Sequence, residues 1–230
     1  MSALALFPRA MRYLLNHYYR TAHQSKPLSH LLLDYREHAN VRVPEWYFAP
    51  PFEPTRLTLN SKAALSDKQI ADHFELLKQQ YSLVEYIRKT QNAHIKISEN
   101  AEQELVNHFN RFLLHPRVLN TMFQKLDQTV ELINGHERII LRLCTLFAQM
   151  PSKDFMLSFP GNETNLQWTH SVIKAGKSYS KRLPEYQDTI QTAQCKLLEI
   201  VNDNKISIVA IKELHRRARI GLTQLKTPAI

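Results

Sequence analysis

The chain has 230 residues, of which 43% are hydrophobic and 22% are charged, so it is long enough for one large or two small domains with a sizeable core. It contains only 4 glycines, and they lie far apart at positions 135, 161, 176 and 221. Phosphate-binding loops, dinucleotide turns and tight β-hairpins all use glycine for backbone conformations that other residues avoid. The composition therefore argues against nucleotide-binding α/β folds and turn-rich β folds, and it predicts a mostly helical protein.

The chain is basic, with a formal net charge of +9 from 30 lysines and arginines against 21 acidic residues. The excess is concentrated in residues 174–230, which hold 11 basic and 5 acidic side chains. Such a balance favours an acidic partner, either nucleic acid or an acidic protein surface.

No segment has the features of an export signal or a membrane span. The longest apolar run near the N-terminus, Ala3 to Phe7, is too short for the core of a signal peptide, and no stretch of about 18 uncharged apolar residues follows it. The two cysteines, Cys144 and Cys195, each fall in an apolar helical pattern and are predicted to be reduced core thiols. We expect a cytoplasmic protein with no membrane partner.

Residues 1–39 are predicted to form a helical hairpin. Pro8 suits a first helical turn, and apolar residues at three- and four-residue spacing predict a helix over about 8–22. A second short helix is predicted after Pro27. Its apolar side consists of Leu28, Leu31, Leu32 and Tyr35.

Residues 40–65 form a connector without helical periodicity, and four of the eleven prolines lie in it. The connector also holds Trp46, Tyr47, Phe48 and Phe52. Because these aromatic side chains would expose a large apolar area on a free linker, we expect the connector to pack on the helical body.

The helical body, residues 66–230, contains the longest pattern in the chain. Its first helix begins with a capping-box pattern at Ser66 and Gln69, and the next is predicted to be capped by Ser98. After Pro116, a seven-residue apolar repeat predicts a helix of about 33 residues that needs partners along its length. The apolar positions of this repeat are Leu119, Met122, Leu126, Ile133, Ile140, Leu143, Phe147 and Met150.

Three shorter helices are predicted after the long one, which ends at Met150-Pro151. The first spans about 164–174, the second opens at Pro184 and the third is capped by Ser207. No strand-like alternation is visible. We therefore predict an all-α fold, a helical bundle with one long central helix, in which residues 66–230 form one globular unit and the protein is a monomer.

No pattern in the chain points to catalysis or to metal binding. The eleven histidines form neither an HExxH motif nor an i, i+4 pair with a third ligand nearby. No elbow motif presents a serine, cysteine or threonine nucleophile. We expect no catalytic residue, no cofactor and no metal, and we predict that the protein is not an enzyme.

The last helix carries a candidate surface for partner binding. Lys212, Arg216 and Arg219 project from nearly one face, with Arg217 beside them, opposite the apolar stripe. Such a face can bind phosphates, and the same pattern is typical of a solvated face that keeps a domain soluble. No aromatic residue lies among these charges, so base stacking is not indicated.

A turn at Gly161, Asn162, Glu163 and Thr164, followed by Trp168, is predicted to be a structural motif. Glycine reaches backbone angles that other residues avoid, and Asn162 or Thr164 can cap the next helix. The indole of Trp168 is expected to fill a core pocket.

Several short runs occur in an order and at separations typical of one protein family. They are Glu137-Arg138-Ile139-Ile140, Leu143-Cys144, Met150-Pro151, Lys153, Phe155, Phe159, Gly161-Asn162-Glu163-Thr164 and Trp168, followed by Ile211-Lys212-Glu213-Leu214, Arg216-Arg217 and Ile220-Gly221. This series resembles the nonconserved (non-essential) insert region of primary bacterial RNA polymerase sigma factors of the sigma-70 type. The segment that follows region 1.2 of that family is similar to Pro8, Tyr13-Leu14-Leu15, Tyr18, Arg20 and Leu28-Ser29.

The chain departs from the family's pattern after Gly221, where the helix that begins conserved region 2 would follow. Conserved regions 2 to 4, which include the parts that melt and read promoter DNA, have no matching positions here. The resemblance implies a protein of transcription initiation and regulation that binds RNA polymerase, as core enzyme or holoenzyme, or its promoter complex, without promoter-reading regions of its own. Two alternatives stay open: a nonspecific DNA-binding protein that uses the basic face of the last helix, and a sigma-factor fragment without independent function.

Overall fold

A computed structural model describes residues 2–35, 66–90 and 95–226. The predicted connector over 40–65 lies outside the described residues. The elements of the described ranges are almost all helices, which confirms the all-α fold class. The helices are α1 (Ser2–Leu6), α2 (Pro8–His23), α3 (Asp67–Thr90), α4 (Ile95–Phe109), α5 (Pro116–Arg142), α6 (Ser152–Ser158), α7 (Trp168–Lys174), α8 (Gln187–Asn204) and α9 (Ile208–Lys226). Shorter elements are strands β1 (Leu32–Tyr35) and β2 (Phe112–Leu114), 3₁₀ turns at Leu28–His30, Ser178–Lys181 and Leu183–Tyr186, and a π turn at Leu143–Phe147.

Helix starts follow the capping residues in the sequence at two sites. The side chains of Ser66 and Gln69 form the reciprocal box ahead of α3: the Ser66 N–H donates to Gln69 Oε1 at 2.9 Å and the Gln69 N–H donates to Ser66 Oγ at 3.3 Å. At the start of α9, the Ser207 hydroxyl accepts the N–H of Ala210 at 3.2 Å. The capping predictions at Ser66 and Ser207 are confirmed.

Two local predictions are wrong. The helix expected after Pro27 is replaced by a 3₁₀ turn and by β1, which pairs antiparallel with β2, with Leu32 opposite Leu114 and Tyr35 opposite Phe112. A short apolar run does not by itself distinguish strand from helix, and here the pairing with a segment about 80 residues later decides. The predicted cap at Ser98 is also wrong, because α4 already begins at Ile95.

The described helices belong to two compact units. The first comprises residues 1–127 and 211–230, and the second comprises residues 128–210. The packing therefore divides the predicted helical body, 66–230, between two units. The predicted boundaries at residues 39 and 65 stay predictions, because residues 36–65 lie outside the described part of the chain.

Aromatic side chains fill the core of the first unit. Phe74 of α3 stacks on Tyr18 of α2, with ring centroids 4.5 Å apart, and meets Phe112 of β2 edge-on at 5.2 Å. All three rings are buried. Burial of these large apolar surfaces holds α2 and α3 to the small sheet.

The long helix keeps most of its predicted stripe. Its buried members are Leu119, Met122, Leu126, Ile133 and Ile140, and Met150 is buried beyond the end of the helix, whereas Leu143 is half-buried. Phe147 is instead exposed, and Cys144 and Ala148 take the buried positions. The π turn at Leu143–Phe147 interrupts the α-helical spacing here, so the buried face moves away from the strict seven-residue repeat. The prediction for Cys144 is thereby confirmed, whereas Cys195 is exposed and is not a core thiol.

Candidate functional site

Helix α9 carries three exposed arginines, as its apolar periodicity requires. Ile211, Leu214 and Ala218 are buried on one side. The arginine side chains on the other sides keep more than half of their surface accessible: 61% for Arg216, 62% for Arg217 and 55% for Arg219. Lys212 is half-buried.

Glu213 accepts hydrogen bonds from two of these arginines. Arg216 donates to both carboxylate oxygens of Glu213, through Nε at 2.7 Å and through one terminal nitrogen at 2.8 Å, and Arg217 donates through Nε at 2.7 Å. The hydrogen bonds from Arg216 and Arg217 lower the pKa of Glu213 from 4.5 to about 2. The carboxylate therefore stays charged at neutral pH and offsets part of the positive charge.

Asp127 of α5 accepts a hydrogen bond from the third arginine. Arg219 donates to Asp127 Oδ2 at 2.7 Å, while His215 Nε2 lies 2.9 Å from Oδ1 of the same carboxylate. The basic cluster, defined as Lys212, Arg216, Arg217 and Arg219, thus lies among two carboxylates that offset half of its charge. This geometry allows charged contacts at the rim of an interface, but it gives a weaker phosphate site than four unopposed cations would.

The predicted structural motif is a tightly hydrogen-bonded turn in the second unit. Gly161 has a φ of 84°, a conformation that favours glycine, and its N–H donates to the Glu163 carboxylate at 3.0 Å. Asn162 donates through Nδ2 to the carbonyl of Ser158 at 2.9 Å. The fully buried Gln194 of α8 donates to the carbonyl of Asn162 at 3.0 Å. The turn is therefore tied to α6 and to α8.

Trp168 lies at the start of α7 and is only 3% exposed. Its ring meets Phe155 and Phe159 edge-on, with centroids 6.0 and 5.0 Å away, and its Nε1–H donates to the Ser158 carbonyl at 2.9 Å. Neither Asn162 nor Thr164 caps α7, because that helix begins later than predicted, with Gln167 as a cap residue that makes no side-chain bond.

A groove on α5 is a feature that the sequence reasoning missed. It has a volume of about 500 Å³ and lies in the second unit. Its lining residues are Gln128, Glu131, Leu132, Gly135, His136 and Ile139. Leu132 is 50% exposed and Ile139 is 44% exposed, and seven residues separate them. The sequence could have indicated this groove, because Leu132 and Ile139 form a second apolar row on the helix, outside the repeat that fills the core.

The described part of the chain shows no group of three or more His, Cys, Asp or Glu residues that could hold a metal ion. Burial raises the pKa of the Cys144 thiol to about 12, so this cysteine is not a nucleophile at neutral pH. In the same described ranges, no helix is both long enough and apolar enough to cross a membrane.

The landmarks around Gly161 and Trp168 thus lie together in one unit, as parts of a single packed motif. The family described as "Sigma-70, non-essential region" matches residues 52–200 of the chain. The chain belongs to this family. The RNA polymerase sigma factor RpoD of Neisseria gonorrhoeae is 29% identical over 100 residues, which cover 44% of this chain and only 16% of that relative. The resemblance to the sigma-70 insert is confirmed.

The chain is thus related to sigma factors through the non-essential region of the sigma-70 family. Sigma factors are not catalysts, which supports the prediction that the chain is not an enzyme. The partner-binding role of the basic cluster and the structural role of the Gly161–Trp168 motif stay predictions.

Proposed function

We propose that this sigma-70-related protein is a cytoplasmic transcription regulator that binds bacterial RNA polymerase, as core enzyme or holoenzyme, or its promoter complex. The match of residues 52–200 to the sigma-70 non-essential region is the observation that carries this proposal. In the proposed mechanism the protein acts as a monomer through a helical surface.

The groove on α5 supports a protein partner. Leu132 and Ile139 expose apolar surface beside the charged side chain of Glu131, and Leu146 and Phe147 continue the exposed apolar side chains toward the end of the same helical stretch. Exposed apolar side chains that cluster and are bordered by polar groups are typical of protein interfaces. We therefore assign the polymerase contact to this face of α5.

The basic cluster of α9 is proposed as a second, charged contact. Charges of this kind act mostly on the rate of encounter and on its salt dependence. The alternative of a nonspecific DNA-binding protein that uses the same cluster is weaker, because Glu213 and Asp127 oppose the arginines. The alternative of a fragment without function predicts no partner for either surface.

Co-purification of the chain with polymerase core enzyme, with and without the primary sigma factor, tests the proposal. The double variant Leu132→Gln with Ile139→Gln should fold normally, because both side chains are about half exposed, and should lose most of the bound polymerase.

Helix α3 offers a matched control, since Leu76 and Leu83 are 45% and 50% exposed and also lie seven residues apart. The variant Leu76→Gln with Leu83→Gln should bind polymerase like the unchanged protein. Equal binding by all three proteins would refute the assignment to α5, and no binding by any of them would refute the proposed function.

A further inference from the structure

Helix α3 carries a row of solvent-facing side chains opposite its buried stripe. The row consists of Asp72, Leu76, Gln79, Leu83, Tyr86 and Thr90, all of which are exposed. At about 100° of rotation per residue, these six positions fall within roughly 80° of the helix circumference. Leu76, Leu83 and Tyr86 are 45%, 50% and 65% exposed. The exposed large apolar side chains of α3 therefore share one line, which we call the α3 row.

The spacing of the α3 row is that of a helix-pairing seam. Its positions follow one another in alternating steps of four and three residues, which is the seven-residue repeat by which two α-helices pack side by side. The buried residues of α3 occupy another face and already contribute to the core of the first unit. The α3 row is therefore not needed for the fold of a single chain, and its period suits a second helix.

The charges along the α3 row select the direction of that second helix. Asp72 lies at the N-terminal end of the row, and Lys89 flanks the C-terminal end; both are exposed. If a second copy of α3 ran parallel to the first, Asp72 would meet Asp72 and Lys89 would meet Lys89. If it ran antiparallel, Asp72 of each copy would lie beside Lys89 of the other. The row is therefore complementary to itself in the antiparallel direction.

The positions of these two charges fit a symmetric pair. Residue 81 is the midpoint of the apolar members, which extend from Leu76 to Tyr86. At 1.5 Å per residue, Asp72 lies about 14 Å from this midpoint along the helix axis, and Lys89 lies about 12 Å from it in the other direction. A two-fold axis at the midpoint thus brings the two charges level and places Leu76 opposite Tyr86. Two-fold dimers, in which both copies use the same patch, are the commonest oligomers.

The other charged residues of α3 leave this complementarity in place. Glu75 and Lys78 offset each other, with 3.6 Å between their charged groups, and Arg88 is paired with Glu102 of α4 at 2.9 Å. Glu85 is half-buried, accepts a tyrosine hydroxyl of its own helix at 2.7 Å, and lies about 140° around the helix from the centre of the row. The first two residues of α3, one acidic and one basic, lie beyond the overlap of the two copies.

The size of the contact determines its strength. About ten residues of each copy would be covered, namely the six of the α3 row and those beside them, which at roughly 30 Å² per residue gives about 600 Å² in total. Stable complexes bury about 1,200 Å² or more, so this contact is weak and reversible. The free protein would pair at high concentration, and the monomer remains the form that acts in the function proposed above.

We propose that the α3 row is a self-association surface, through which two copies of the protein pair reversibly with their α3 helices antiparallel. The surface belongs to the first unit and shares no residue with the groove on α5 or with the basic cluster of α9. The inference does not rest on polymerase binding.

Sedimentation equilibrium of the full chain, from about 10 μM to about 1 mM, tests the proposal. The weight-average mass of the unchanged protein should rise across this range from that of one chain toward that of two. The variant Leu76→Gln with Leu83→Gln should stay monomeric, because it removes both leucines of the α3 row. A mass of one chain at every concentration for the unchanged protein would overturn the proposal, as would unchanged association of this variant.

The variant Leu132→Gln with Ile139→Gln is the matched control. It replaces two apolar side chains of similar exposure, also seven residues apart, on α5. It should self-associate like the unchanged protein. An equal loss of association in both variants would show that exposed apolar surface in general drives the pairing, and it would overturn the assignment to α3.

Charge reversals test the direction of the pairing and do not depend on the leucine variant folding well. Asp72→Lys places a second positive charge beside Lys89 in both halves of the symmetric contact and should weaken association about tenfold. Lys89→Asp should do the same with two negative charges. The double variant Asp72→Lys with Lys89→Asp reverses both partners and should restore the association constant of the unchanged protein. Single variants without effect, or a double variant that stays weak, would contradict the antiparallel pairing.

Discussion

Replacement of Trp168 by alanine should destabilise the protein by about 4 kcal/mol, within the range found for buried tryptophan and phenylalanine. The indole is 3% exposed and contacts two phenylalanine rings edge-on, so its removal leaves a cavity between Phe155 and Phe159. The lost hydrogen bond adds little, because the Ser158 carbonyl still accepts the side-chain amide of Asn162 at 2.9 Å.

Urea unfolding followed by far-ultraviolet circular dichroism measures this cost, and a thermal scan should show the midpoint lowered by roughly 12 °C. Trp168→Phe is the control: it keeps a ring in the pocket and should cost about 1–2 kcal/mol. A folded Trp168→Ala protein that loses less than about 1 kcal/mol would refute the packing argument. The same protein with normal stability and lost polymerase binding would identify Trp168 as a contact residue.

Three further substitutions test local features. Gly161→Ala should lower the free energy of urea unfolding by about 1–2 kcal/mol, because the φ of 84° is strained for alanine. Gly135→Ala, inside α5 with open space around its Cβ, should instead stabilise the protein by about 0.5–1 kcal/mol. A stabilising Gly161→Ala would contradict the turn geometry. Glu213→Gln should be less stable than the unchanged protein above pH 4.5, because the arginines hold the pKa of the folded Glu213 carboxyl near 2. The difference in stability should vanish as pH falls toward 2. Thermal scans at pH 7 and pH 2 check this, and a pH-independent difference would refute it. Burial lowers the pKa of His108 from 6.5 to about 4, so as pH falls this histidine takes up a proton more readily in the unfolded chain than in the folded one, which destabilises the fold. Between pH 7 and pH 4 the unchanged protein should therefore lose about 3 kcal/mol more stability than His108→Met does. Parallel pH profiles of stability for the two proteins would contradict this.

Local signals in the sequence were sufficient where the structure depends on near neighbours. The helix starts at Ser66 and Ser207 follow from hydrogen bonds that span three residues. The buried stripe of α5 follows from helical periodicity, whereas the π turn at Leu143–Phe147 that follows α5 changes the buried face and leaves Phe147 exposed.

Contacts between distant residues could not be predicted. Strand β1 forms because β2 lies beside it, and nothing in the local sequence specifies that pairing. The ion pair between Arg219 and Asp127 joins residues 92 positions apart. The ion pairs of Glu213 with Arg216 and Arg217 lie at three- and four-residue spacing and could have been predicted from the sequence. The basic cluster is thus less positive than its sequence alone indicates.

The binding of the full chain to RNA polymerase tests the central claim most directly. The measurement is the dissociation constant of the purified, fluorescently labelled protein for core enzyme and for holoenzyme, at a polymerase concentration up to about 10 μM. The account predicts saturable binding to at least one of the two forms, weakened by the Leu132→Gln with Ile139→Gln variant and not by the Leu76→Gln with Leu83→Gln variant. The absence of binding to both forms by a folded protein would contradict it.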